Sequence, residues 1–144
     1  MKFKNYLSLI KFSHTIFSLL FALIGFVIGI INLDYIPFVK IGKSTILTPF
    51  NKTKIFITHN WYVLVLVLLC MIFARSAAMS FNRYLDRNFD AKNPRTSIRE
   101  IPAGIISANS ALLFTILTSV LFIITTYFIN SLCFYLSPVA LLVV

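Results

Sequence analysis

Asn82, Asp86 and Asp90 stand at i, i+4 and i+8 in a chain that holds only four acidic residues. On a helix this spacing makes one stripe, with about 6 Å between successive members. Three oxygen-bearing side chains on one face suit a hard cation such as Mg2+, above all one shared with phosphate oxygens. Arg75 lies seven residues upstream. At about 100° per residue, Arg75, Asn82, Asp86 and Asp90 fall within about 80° of one another. An arginine inside an apolar run needs a cavity or a partner, and its planar fork suits a carboxylate. Beyond Pro94 come Arg95, Thr96, Arg99, Pro102 and Gly104. Arginines there can hold a diphosphate through charge-assisted hydrogen bonds. The combination reads as a metal-assisted diphosphate site at a membrane surface, beside an apolar interior. A substrate with a diphosphate head and a lipid tail fits it.

Each element also has a plainer reading. Asp86 and Asp90 can pair with Arg83, Arg87 or Arg95 as a solvated helix end. Arg83 and Arg87 are expected to face solvent or lipid headgroups. Arg75 can snorkel to the surface. Glu100 is expected to pair with a nearby arginine, and His14 and His59 to lie at the interface. The case for chemistry rests on the joint pattern.

The elements that position these residues are apolar helices. The 144-residue chain is 59% hydrophobic, with a mean hydropathy of +0.92. Charged residues make up 12%, where a soluble domain carries about 25%. An integral membrane protein, lodged in a lipid bilayer, follows. The net charge of +9 reflects loops near anionic lipid. Nucleic acid is excluded as a partner, because no basic face exists outside the loops. Cys70 and Cys133 lie in apolar runs without metal-ligand or disulfide spacing, so they read as packing residues.

Four helices are expected, near 15–33, 61–91, 108–129 and 132–144. The first is long enough to span and is read as retained, not as a cleaved signal peptide. Trp61 and Tyr62 anchor the second at an interface. Its apolar part ends near Phe81, and Pro94 stops the helix at Asn93 or before. Residues 32–60 read as a long loop with Asp34, Pro37, Gly42 and Pro49 as breakers, with 38–47 as a short hairpin or interfacial segment. The last stretch, 132–144, has 13 residues and contains Pro138, against about 20 needed to span. The expectation is a fragment of a longer protein, cut inside its fourth helix. Lys2, Lys4, Lys11, Arg83, Arg87, Lys92, Arg95 and Arg99 fall on one side, and Lys40, Lys43, Lys52 and Lys54 on the other. The first side is expected to be cytoplasmic, in a bacterial inner membrane.

Residues 81–104 read FNRYLDRNFDAKNPRTSIREIPAG. This stretch resembles the first aspartate-rich motif of the UbiA superfamily of intramembrane prenyltransferases, N-D-x-x-D-x-x-x-D followed by R-T-x-x-R-x-x-P-x-G. Arg75, Ser76 and Ala77 match the R-S-A that precedes the motif in the 4-hydroxybenzoate branch. Residues 12–25, led by Phe12, Ser13 and His14, are similar to that branch's first helix. The resemblance implies an all-α, polytopic transmembrane bundle of nine helices, of which residues 1–144 form the N-terminal part with about four. It implies Mg2+ held by Asn82, Asp86 and Asp90, which are also the catalytic set. It implies a polyprenyl diphosphate neutralised by Arg95 and Arg99, and an aromatic acceptor acid facing Arg75. The reaction implied is prenyl transfer to a 4-hydroxybenzoate-like acid in quinone biosynthesis. A naphthoate acceptor in menaquinone synthesis is the alternative. A non-enzymatic small membrane protein with a basic cytoplasmic loop is the competing class. Two departures stand out. Arg83 occupies a position where the generic motif has Asp. No Asp or Glu follows Glu100, so the second aspartate motif is missing and the chain alone is expected to be inactive.

Overall fold

The computed structural model describes residues 3–32 and 48–143. Five helices follow in order: α1 (Phe3–Leu9), α2 (Phe12–Ile31), α3 (Pro49–Lys92), α4 (Ala108–Ile129) and α5 (Ser131–Val143). No strand occurs among the described residues. The protein is an all-α membrane bundle. Three helices, α2, α3 and α4, are long and apolar enough to cross a membrane.

The short α1 is separated from α2 at Lys11, which takes a left-handed conformation with φ 45°. Exposed Ile16, Phe17, Leu20, Phe21, Ile24 and Ile28 form a stripe along α2. In water such a stripe would be costly; against lipid tails it is not. The opposite side of α2 reaches α3 through Ile30 and Phe56, with Phe26, Ile55 and Val63 around them.

The loop expected over 32–60 is shorter than the sequence reading had it. Pro49 starts a helix there instead of breaking one. Proline's fixed φ and missing N–H suit the first helical position, and the Thr48 hydroxyl caps the turn by accepting from the Asn51 N–H at 3.4 Å. Lys52 ties this new start to α2 by donating to the Ile31 carbonyl at 3.0 Å. The hairpin or interfacial segment expected over 38–47 lies outside the described residues.

At 44 residues, α3 would measure about 66 Å if straight, twice a hydrocarbon core of about 30 Å. It breaks once, at Asn60, whose φ −129° and ψ 35° are not helical. The run from Trp61 continues without interruption to Lys92. Its polar end therefore stands beyond the apolar stretch, carrying the candidate site.

Small residues let α4 lie along α3. Ser76, Ala77 and Ser80 of α3 are buried, as are Ala111, Thr115 and Thr118 of α4. Ser80 donates its hydroxyl to the Ala111 carbonyl at 3.1 Å, a cross-helix bond of the kind that joins membrane helices. The α4 threonines satisfy their hydroxyls within the helix: Thr115 bonds to Ala111 at 3.0 Å and Thr125 to Leu121 at 2.6 Å. In α5, Pro138 has no N–H to offer the Phe134 carbonyl. The Ser137 hydroxyl donates to that carbonyl instead, at 2.8 Å.

Candidate active site

Asn82 and Asp86 lie on the last turns of α3 and are exposed, while Asp90 is buried. The helix ends where Pro94 requires: Asn93 takes an extended conformation, φ −102° and ψ 118°. The chain then folds back on α3 through a series of turns. Asn93 Oδ1 accepts from the Arg95 N–H at 3.0 Å, and Thr96 Oγ1 donates to the Asp90 carbonyl at 3.1 Å. Gly104, at φ 71°, makes the left-handed step that turns the chain toward α4, a conformation glycine adopts at little cost. Leu9, Ile106 and Ala111 pack beneath these turns, with Tyr6, Ile101 and Phe114 around them.

The fold-back brings Arg99 onto Asp90. Arg99 Nη1 donates to both carboxylate oxygens, at 2.6 and 2.8 Å. The Arg99 hydrogen bond holds the Asp90 carboxyl below its ordinary value. Burial pushes the other way, and the Thr96 hydroxyl and the charges of Arg99 and Arg83 add to the lowering.

The sequence-derived site residues are thus distributed unevenly. Asn82 and Asp86 share an exposed face. Asp90 and Arg99, read separately as a metal ligand and a diphosphate contact, are joined to each other. Arg95 is exposed beside them. Arg75 lies half-buried in the apolar part of α3, and its Nε has no hydrogen-bond partner.

Three sequence expectations are corrected. Arg83 does not face solvent or headgroups: it is 8% exposed. On the helix Arg83 stands about 20° from Asp90, and both are buried. Glu100 accepts from the Ser8 hydroxyl of α1 instead of pairing with an arginine. Arg87 does not pair with Asp86 or Asp90 either. It donates to the Tyr84 carbonyl at 2.6 Å and lies 4.3 Å from the centre of the Tyr84 ring, within cation–π range.

No group of three or more His, Cys, Asp or Glu side chains is placed for a metal among the described residues. Mg2+ asks for less, one or two carboxylates with substrate phosphates and water completing its shell. Asn82 and Asp86 fit as such a partial set. Asp90 fits only if Arg99 releases it.

The sequence model of the UbiA prenyltransferase family matches residues 56–144. The chain belongs to the UbiA prenyltransferase family. The match takes in α3 from Phe56 onward, the fold-back segment, α4 and α5, so every UbiA site residue discussed above lies within it. A 4-hydroxybenzoate octaprenyltransferase of Aliivibrio salmonicida is 36% identical over 84 residues, 58% of this chain and 29% of that protein. One of Photobacterium profundum is 41% identical over 83 residues, 57% and 29% respectively. A polyprenyl transferase of Arthrobotrys oligospora is 49% identical over 43 residues, 30% of this chain and 12% of that one. The matched stretch thus spans less than a third of these curated UbiA-type relatives. No solved structure matches significantly.

Proposed function

We propose that this protein takes part in Mg2+-dependent transfer of a polyprenyl group from a prenyl diphosphate to an aromatic acid of the 4-hydroxybenzoate type, in quinone biosynthesis. The observation that carries the proposal is a single one. The exposed Asn82–Asp86 face stands at the end of a membrane-spanning helix whose interior holds an arginine with an unpartnered Nε, Arg75. This arrangement supports a cation-binding end and a carboxylate-binding interior on one helix.

In this mechanism Asn82 and Asp86 would hold the cation, and Asp90 would be free to join them only with Arg99 turned from it to the diphosphate. When bound, Mg2+ supplies Lewis-acid stabilisation of the diphosphate leaving group. Arg95 and Arg99 add positive charge where negative charge develops as the prenyl C–O bond breaks. The allylic carbon then bonds to the ring carbon ortho to the phenol, and that carbon gives up its proton to water or the released diphosphate, which restores the aromatic ring. Arg75 orients the ring by pairing with its carboxylate. The apolar surroundings of α3 and α4 receive the prenyl tail. In this reading the chain contributes part of the carboxylate set, since no Asp or Glu follows Glu100. The excess of Lys and Arg in and around 82–104 supports a cytoplasmic location for that segment.

The test is Mg2+-dependent retention of a polyprenyl diphosphate by the protein in membranes, together with transfer to radiolabelled 4-hydroxybenzoate. An Asp86→Ala variant runs alongside. Retention that needs both Mg2+ and Asp86 supports the proposal. Product with a dihydroxynaphthoate but none with 4-hydroxybenzoate would move it to the menaquinone branch. Diphosphate retention indifferent to Mg2+ and to Asp86 would refute it.

A further inference from the structure

Arg83 is the buried cation that the proposed reaction leaves without a role. It is 8% exposed, and its Nε makes no hydrogen bond. It is also the position at which the chain departs from the aspartate-rich motif, with Arg where the generic motif has Asp. Arginine keeps its charge in a protein, so this charge is fixed where the fold puts it. The fold puts it near Asp90. Both residues are buried on α3, about 20° apart around the helix axis and about 10 Å apart along it. Arg83 shares a recess of about 360 Å³ with Thr96 and Arg99, the two residues that hydrogen-bond to Asp90. Its charge acts on the Asp90 carboxylate. Asp90 therefore lies within reach of two arginines. Arg99 holds it, and Arg83 keeps a free donor at Nε.

That difference matters when Arg99 moves. Stripping the only cation from a buried carboxylate is strongly unfavourable. A second cation in the same recess offsets that penalty, because the carboxylate exchanges one partner for another. A carboxylate also has two oxygens with several acceptor sites between them. Asp90 can accept from the Arg83 Nε–H on one oxygen and keep the other for a further ligand.

We infer that Arg83 is a positioning residue, the stand-in partner that takes the Asp90 carboxylate when Arg99 leaves it for the diphosphate. The occasion for the move rests on the prenyl-transfer reading above. The exchange of partners is a property of the chain itself. In this role Arg83 contacts neither the diphosphate nor the cation. It acts through Asp90, holding that carboxylate in place while Arg99 is away.

The experiment uses the substrate-free chain in phosphatidylcholine nanodiscs, so its outcome is separate from whether a prenyl diphosphate is retained. Arg99→Gln imitates the departure of Arg99. With isotope-labelled arginine, NMR reads the Arg83 Nε–H directly. In Arg99→Gln its signal should shift, and its exchange with water should slow about tenfold, as a newly formed charge-assisted bond implies. Adding Asp90→Asn to Arg99→Gln should abolish both changes. The second readout is exchange of the Ala103, Gly104 and Ile106 amides, which bond within the fold-back segment. Arg83→Gln alone should change it little, because Arg99 still holds Asp90. Arg83→Gln with Arg99→Gln should speed it about tenfold beyond the product of the two single effects, the weight of one charge at about 10 Å. Asp90→Asn should remove that excess. Arg83→Lys with Arg99→Gln should stay close to Arg99→Gln alone, because the charge remains. An arginine that only fills space would give effects that multiply and that Asp90→Asn does not relieve. An Arg83 Nε–H indifferent to Arg99→Gln would overturn the inference, and this reading does not require Arg83→Gln to fold. Single effects of Arg83→Gln and Arg99→Gln that simply multiply would overturn it too.

Discussion

Removing the Arg99–Asp90 pair should loosen the fold-back segment without unfolding the bundle. Breaking a fully buried pair costs about 3–5 kcal/mol, whereas an exposed one is worth about 0–1 kcal/mol. Here the Asp90 side chain is 9% exposed and that of Arg99 31%, which places the pair between those limits, at about 2 kcal/mol. The two single variants differ in kind. Asp90→Asn leaves Arg99 able to reach water. Arg99→Gln leaves a buried carboxylate with only the charge of Arg83 nearby, so it is the more damaging. The assay is amide hydrogen exchange in nanodiscs. The reporting amides are those of Arg99, Ala103, Gly104 and Ile106, which donate to carbonyls within the segment. A loss of about 2 kcal/mol speeds their exchange about 30-fold, tenfold for each 1.4 kcal/mol. The amides of α4 should be unaffected. A double-mutant cycle separates the pair from its surroundings. A coupling below about 1 kcal/mol, within the range of exposed pairs, would refute the reasoning.

The same pair sets a pH dependence. The folded-state value of Asp90 is lowered from 3.8, so its stabilisation is complete above that value and is lost as pH falls through the lower, folded one. Protection of the fold-back amides should hold down to about pH 3.8 and fail below it, a step that Asp90→Asn abolishes. Arg75→Gln should weaken retention of a carboxylated aromatic acid about tenfold or more, as for a lost charge-assisted bond, while leaving prenyl diphosphate binding intact; equal loss of both would separate Arg75 from the acceptor. Gly104→Ala meets no atom within 4 Å, so its only cost is the left-handed backbone, about 1 kcal/mol, read as a modest loss of thermal stability. Ser80→Leu should separate α3 from α4 and cost about 1–3 kcal/mol through overpacking, measured by unfolding in detergent mixtures.

Periodicity and length were the legible part of the sequence. Residues 108–129 hold no charged residue, Gly or Pro between Ser107 and Asn130, and α4 occupies that range. The end of α3 was legible from Pro94, because a proline restricts the residue before it. Its beginning was not. Pro49 reads as a breaker or a starter depending on what precedes it, and the Thr48 cap decides between them only once the helix is seen. The short α1 was hidden because its seven residues are too few to show a helical period. In the site, the spacing of Asn82, Asp86 and Asp90 was visible, but the partner of Asp90 was not. Four arginines lie within ten residues of it, and the choice of Arg99 depends on turns that bring back a residue nine positions away. Arg83 was misread for a related reason: a helical wheel gives its angle, while burial depends on what packs there.

Because α3 runs unbroken from Trp61 to Lys92, the depth and the azimuth of every polar group on it are a single variable. Inserting one residue between Arg75 and Asn82 would advance the carboxylates by about 1.5 Å and also swing them about 100° away from the arginine. No side chain would have changed, yet the two ends would face different neighbours. Inserting seven would restore the angle to within about 20° while lifting the carboxylates about 10 Å. The helix therefore behaves as a screw thread, on which distance can be changed only in steps that return the phase.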